Sequence, residues 1–199
     1  MAGATAADNF LWFPEAAKGG LLTGKAAQPE GETTDNWFKD KKALEVMSFG
    51  WGVEQAQTTG SSSTGSGAGK AKFKEFTISK GVDLASVPLF NACTAGAHFP
   101  HVCVALRKAG GSNLLYLQYI FTQVFVISIK WSGGDGAGAP KEDITFKFGA
   151  YKMQYIQQLA DGTEGTKQEG AWSATQNKPT GNVTGMSDAP AFVAGSQSA

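Results

Sequence analysis

The stretch 114–130, LLYLQYIFTQVFVISIK, restricts the possible folds more than any other part of this chain, because it is apolar on both faces. With the period of two that an extended strand imposes, Phe121, Phe125, Ile127 and Ile129 share one face, and Ile120, Val124 and Val126 the other. A strand in a small closed sheet needs one apolar face for the core. The second must pack against a helix, against another sheet or against a neighbouring subunit.

Four further segments, 44–54, 72–79, 99–108 and 142–156, are rich in β-branched and aromatic residues and predict a mainly β protein. In the last of them Ile144, Phe146 and Phe148 alternate with Thr145 and Lys147, the pattern of a strand with one buried face. Glycine is frequent, with 26 residues, and its clusters, chiefly at 60–69, 110–111, 133–138 and 162–170, read as connections between strands. One helix is expected. Ser86 is placed as its N-cap and Pro88 in its first turn, where a missing N–H costs nothing. Leu89, Phe90 and Cys93 form its packing stripe, and Gly96 marks its end. At 199 residues, the chain suits one β-rich domain with an irregular tail.

Charge and motifs narrow the function. Seventeen basic residues cancel seventeen acidic ones, so no electrostatic footprint for nucleic acid or an anionic membrane is present. The opening MAGATAADNF lacks the basic and apolar regions of a signal peptide, and no apolar run is long enough to cross a bilayer, so no membrane insertion is expected. Cys93 and Cys103 are expected to stay reduced. GSGAGK at 65–70 has part of a phosphate-binding loop, but Thr64 replaces its leading glycine, Ala71 its hydroxyl, and a strand follows instead of a helix. His98, His101 and Cys103 lack a fourth metal donor. Nothing in the sequence gathers Asp83, Glu142 and Asp143 into a carboxylate pair, and they read as surface charge or capping. We expect no catalytic residues, no cofactor and no metal; the protein reads as a non-enzyme.

Several blocks together carry a family resemblance: EVMSFGWGVEQ at 45–55, GAGK at 67–70, FTISKGVDLASVPLFNACTAGAHFP at 76–100, RKAGG at 107–111, YLQYIFTQVFVIS at 116–128 and ITFKF at 144–148. In order and spacing, from about residue 8 to residue 178, they resemble the haemolysin-coregulated proteins (Hcp) that form the inner tube of bacterial type VI secretion systems. The resemblance implies a compact β-barrel of two packed antiparallel sheets with one flanking α-helix, related to the tail-tube proteins of contractile phages. It further implies homo-hexameric rings that stack into a hollow tube for effector delivery. The implied partners are a contractile sheath, spike, baseplate and effector cargo. The protein would be cytoplasmic when assembled and delivered out of the cell without a cleavable signal peptide. Residues 1–178 would form the tube domain, with an insertion near 18–38 and an extended loop near 55–71, and 179–199 an irregular extension.

On this reading Trp51, Gly60, Gly65, Gly67, Gly69, Lys70, Phe121 and Phe125 are assembly candidates, and Ser86, Leu89, Phe90 and Cys93 lie on the helix near the channel. The other reading is a secreted effector-carrier or binding module that uses the same barrel. In the tail, Ala191, Phe192 and Val193 form an apolar patch that could dock on a partner, against the commoner outcome of a frayed terminus.

Overall fold

The computed structural model describes residues 8–20, 22–57, 68–108, 114–133, 140–179 and 190–194. Its strands, in chain order, are β1 (Asp8–Trp12), β2 (Leu44–Glu45), β3 (Ser48–Gly50), β4 (Val53–Gln57), β5 (Ala68–Phe73) and β6 (Phe76–Gly81). They continue with β7 (His98–Arg107), β8 (Leu115–Ser132), β9 (Lys141–Lys147), β10 (Ala150–Gln158), β11 (Glu164–Ser173) and β12 (Lys178–Pro179). The helix α1 (Ser86–Ala95) stands between β6 and β7. The protein is mainly β, as the sequence predicts.

The two-faced stretch is the long strand β8, and it serves both sides of the fold. Its first half pairs with β7 and with β10, and its second half with β9. From β9 the antiparallel ladder passes to β6 and then β3; from β7 it passes to β1 and then β2. Only Val46 and Met47 separate β2 from β3. Their amides bond outward to both neighbours, Val46 N–H to the Asn9 carbonyl at 2.9 Å and Met47 N–H to the Ser79 carbonyl at 2.8 Å. One short run of chain therefore closes the circuit into a barrel, which removes its open edges. Inside, Phe76 of β6 stacks on Phe121 of β8 with ring centroids 4.7 Å apart, joining the two sides. Strands β10, β11 and β12 continue as a flap beyond β8, and β4 and β5 form a separate two-stranded arm.

The face assignment along β8 needs correcting. Phe121, Val124 and Val126 all point into the barrel core, whereas Phe125 and Ile127 are 40% and 43% exposed. The alternation slips at Gln123, whose backbone is left-handed (φ 51°), and again at a bulge between Val126 and Ser128. An added or irregular residue shifts every later side chain to the opposite face. Gly149 lies against the slip: its N–H bonds the Thr122 carbonyl at 2.9 Å, and a Cβ there would collide with the Gln123 side chain.

The glycine-rich run at 162–170, expected as a connection, lies largely in β11, and β1 also escaped the sequence reading. β11 is largely polar and only Ser173 at its end is fully buried, so backbone pairing to β10, with little apolar burial, defines it. The outer face of β1, β7 and β8 has its own apolar cluster, in which Phe10, Trp12, Cys103, Ala105 and Ile120 are covered by Phe38 and Ala43, with Trp37 beside them. Phe38 stacks on Phe10 at 4.2 Å. The end of the expected insertion thus forms a second layer on its own subunit.

Candidate assembly surface

The helix is anchored by a buried polar cluster that the sequence reading dispersed. Lys80 and Glu142 sit directly opposite on β6 and β9, and both side chains are fully buried. Lys80 Nζ contacts Glu142 Oε1 at 2.7 Å and Asp83 Oδ1 at 2.6 Å, and donates to the Gly81 carbonyl at 2.8 Å. Ser86 Oγ donates to Glu142 Oε1 at 2.8 Å, and Trp131 Nε1 to Glu142 Oε2 at 2.9 Å. Each charge therefore has the partners that burial demands. A signal was present: Lys80 keeps the register of Phe76 and Ile78, and Glu142 that of Ile144 and Phe146, so both are in phase with an apolar face.

Ser86 is consequently not the N-cap. It is the first helical residue, and its hydroxyl accepts from the Asp83 N–H at 3.0 Å; Asp83 in turn accepts from the Ala85 N–H at 2.9 Å. The end of the helix is as expected, with Gly96 left-handed at φ 63°. Leu89 and Ala92 are the buried stripe and Cys93 packs partly against the core, but Phe90 points away, 45% exposed, with its ring 6.0 Å from Trp131.

The assembly candidates separate in the same way. Phe121 is fully buried and cannot meet another subunit in the folded protein. Trp51 is half-buried against its own subunit, with Tyr151 at 4.8 Å, Tyr119 at 5.5 Å and Phe121 at 5.7 Å. Phe125 remains outside, its ring 5.4 Å from His98. Large apolar side chains thus stay open at Leu84, Val87 and Phe90 around the helix and at Phe125, Ile127 and Trp131 on β8. The arm carries Gly69 and an exposed Lys70 in β5; Gly60, Gly65 and Gly67 lie outside the described residues. Phe73 tethers the arm's base, with Tyr151 at 5.5 Å and Phe148 at 6.2 Å.

Several other titratable groups are tied into structure. Arg107 bridges Asp35 at 2.6 Å and Asp8 at 2.7 Å and lies over the Phe10 ring. Burial works against its charge, but the bonds to Asp35 and Asp8 outweigh it and raise its pKa. His101 Nδ1 is 2.8 Å from Glu15 Oε1. Burial pushes the Cys103 thiol up to about 12. Cys93 and Cys103 are both free thiols. Among the described residues no group of His, Cys, Asp and Glu is arranged to hold a metal ion, and no helix is long and apolar enough to cross a membrane.

A two-sided β-barrel capped by one helix, with an arm running out from its seam, defines the class as a small, mainly β barrel protein. Comparison with known proteins makes the class specific. Residues 21–155 match the family described as the type VI secretion system effector Hcp, and this chain belongs to that family. It is 31% identical over 110 residues to protein hcp1 of Pseudomonas aeruginosa, covering 54% of this chain and 68% of that protein. Among solved structures, a type six secretion system protein superposes with a TM-score of 0.75 at 30% identity, over 88% of this chain and all of that one. Hcp1 of Salmonella typhimurium gives 0.67 at 26% identity, over 88% and 100%.

Proposed function

We propose that this chain is the tube subunit of a type VI secretion or related contractile injection system. It works by non-covalent assembly into homo-hexameric rings that stack into a hollow tube, without chemical turnover. Family membership supports the system, and one observation carries the assembly: Phe125 and Ile127 stay 40% and 43% exposed on a barrel whose core is already complete without them. Apolar side chains left on a closed barrel fit contact with another subunit. The tube's sheath, spike and baseplate partners, its effector cargo, its cytoplasmic assembly and its delivery from the cell belong to the same proposal.

Light scattering followed by negative-stain electron microscopy tests it: rings or stacked rings are the expected result, and a monomer that persists at all concentrations overturns it. The two phenylalanines give opposite outcomes. Phe121→Ala should cost about 3–5 kcal/mol of stability, as large cavities in cores do. Phe125→Asp should leave the melting transition within the range of a surface change, about 0.5 kcal/mol, and abolish rings. Intact rings from the Phe125→Asp protein would remove this face from the interface.

A further inference from the structure

Residues 190–194, Pro-Ala-Phe-Val-Ala, lie on the outer face of the barrel and are held there by a side chain acting as a strand would. Gln118, 1% exposed, donates from Nε2 to the Val193 carbonyl at 2.9 Å and accepts the Val193 N–H on Oε1 at 3.0 Å. This is the paired bonding that a neighbouring strand offers a peptide backbone. The polarity of that amide is set from behind. Gln118, Gln154 and Glu169 stand directly opposite one another on β8, β10 and β11. The Glu169 carboxylate accepts from Gln154 Nε2 at 2.6 Å, which turns Gln154 Oε1 towards Gln118 Nε2, 3.5 Å away. A carboxylate can only accept, so the relay leaves Gln118 with one donor and one acceptor facing the tail. Apolar contacts complete the site. Phe192 and Val193 pack on the cluster around Cys103 and Ile120, with the Lys152 ammonium 4.8 Å from the Phe192 ring. A separate opening of about 410 Å³ beside them is walled by Trp12, Phe13 and Lys41 on the barrel side and by the segment's own Pro190, Ala191 and Val193 on the other.

We propose that the surface under residues 190–194 is a peptide-binding site, with Gln118 as its backbone clamp, for an extended segment carrying an aromatic followed by a β-branched residue, and that its occupant is the chain's own segment 190–194. The site is independent of the tube reading, since it uses neither the helix nor the exposed residues of β8's second half.

The test uses the full-length chain with Phe192→Asp and Val193→Asp, which vacates the Gln118 surface, and a fluorescent peptide of residues 188–197 read by anisotropy. Saturable binding to the vacated protein is expected, with much weaker uptake by the unaltered protein. Adding Gln118→Leu should weaken binding about tenfold or more, the effect of losing two hydrogen bonds, while near-ultraviolet circular dichroism stays unchanged. Glu169→Gln should weaken it less, because Glu169 only positions the clamp. A folded, vacated protein that takes up no peptide overturns the proposal. So does a vacated protein that has lost its cooperative melt, because the segment would then be inseparable from the core. Equal binding with and without Gln118→Leu removes the clamp.

Discussion

Single residues show how burial, more than residue type, decides behaviour. Cys103 sits in the outer apolar cluster, and burial holds its thiol near 12, so almost none is thiolate at neutral pH. A thiol reagent at pH 8 should therefore modify the partly exposed Cys93 and reach Cys103 only in denaturant; prompt labelling of two thiols in the native protein would contradict this. Glu15 behaves oppositely. Its bond to His101 holds the carboxyl below its ordinary 4.5 despite partial desolvation, with Lys18 adding to the effect. A carboxylate with a lowered folded pKa contributes stability above the unfolded value and loses it as pH falls through the folded one. Thermal melts should thus show the gap between the unaltered protein and Glu15→Gln narrowing as pH drops below about 4.5. A gap constant with pH would mean that the His101 contact does not favour the ionised carboxylate.

At the scale of elements, the helix is fastened to the barrel by charge as well as by Leu89 and Ala92. Removing one partner of a buried pair strands the other, so Lys80→Met or Glu142→Gln alone should cost about 3–5 kcal/mol in urea unfolding. Joining Lys80→Met with Glu142→Gln should cost less than the sum of the two single changes, because the second change no longer strands a charge, while Asp83 still lacks its lysine; a strictly additive double variant would refute the pairing. Whole strands were readable in the sequence where one face is buried in an even alternation, as in β9, and the helix stop was readable because Gly96 takes a left-handed turn. Elsewhere the pattern hid the structure. β8 slips phase at Gln123 and again before Ser128, a backbone event that side-chain hydrophobicity does not encode, and it moved Phe125 from core to surface. β11 has no apolar face to announce it. The Lys80–Glu142 cluster was present as two charges in phase with buried neighbours, a sign available only once the strands are known to be opposite. The tail's apolar patch is visible in the sequence, but its docking partner is Gln118, 75 residues earlier, which no local pattern connects to it.

At the scale of the molecule, the barrel and the flap should differ in stability. β7 and β8 carry the core on densely buried strands, whereas β11 is exposed or half-buried up to its last residue and held by β10 and the short β12. Regions with little apolar burial open at lower free energy. Hydrogen exchange should therefore release β11 amides well before those of Val102–Leu106; a single common rate would show the flap and barrel to be one cooperative unit. The seam behaves differently again. The arm's two strands continue directly into β3 and β6, the strands joined where Val46 and Met47 close the circuit. A pull along the arm that draws both strands together leaves the β3–β6 pairing intact and loads the β6–β9 ladder in shear, with its hydrogen bonds sharing the force. A pull that parts the strands meets the bonds one at a time, like a zipper. The direction in which a neighbour grips the arm thus determines whether traction leaves the barrel shut or unbuttons it.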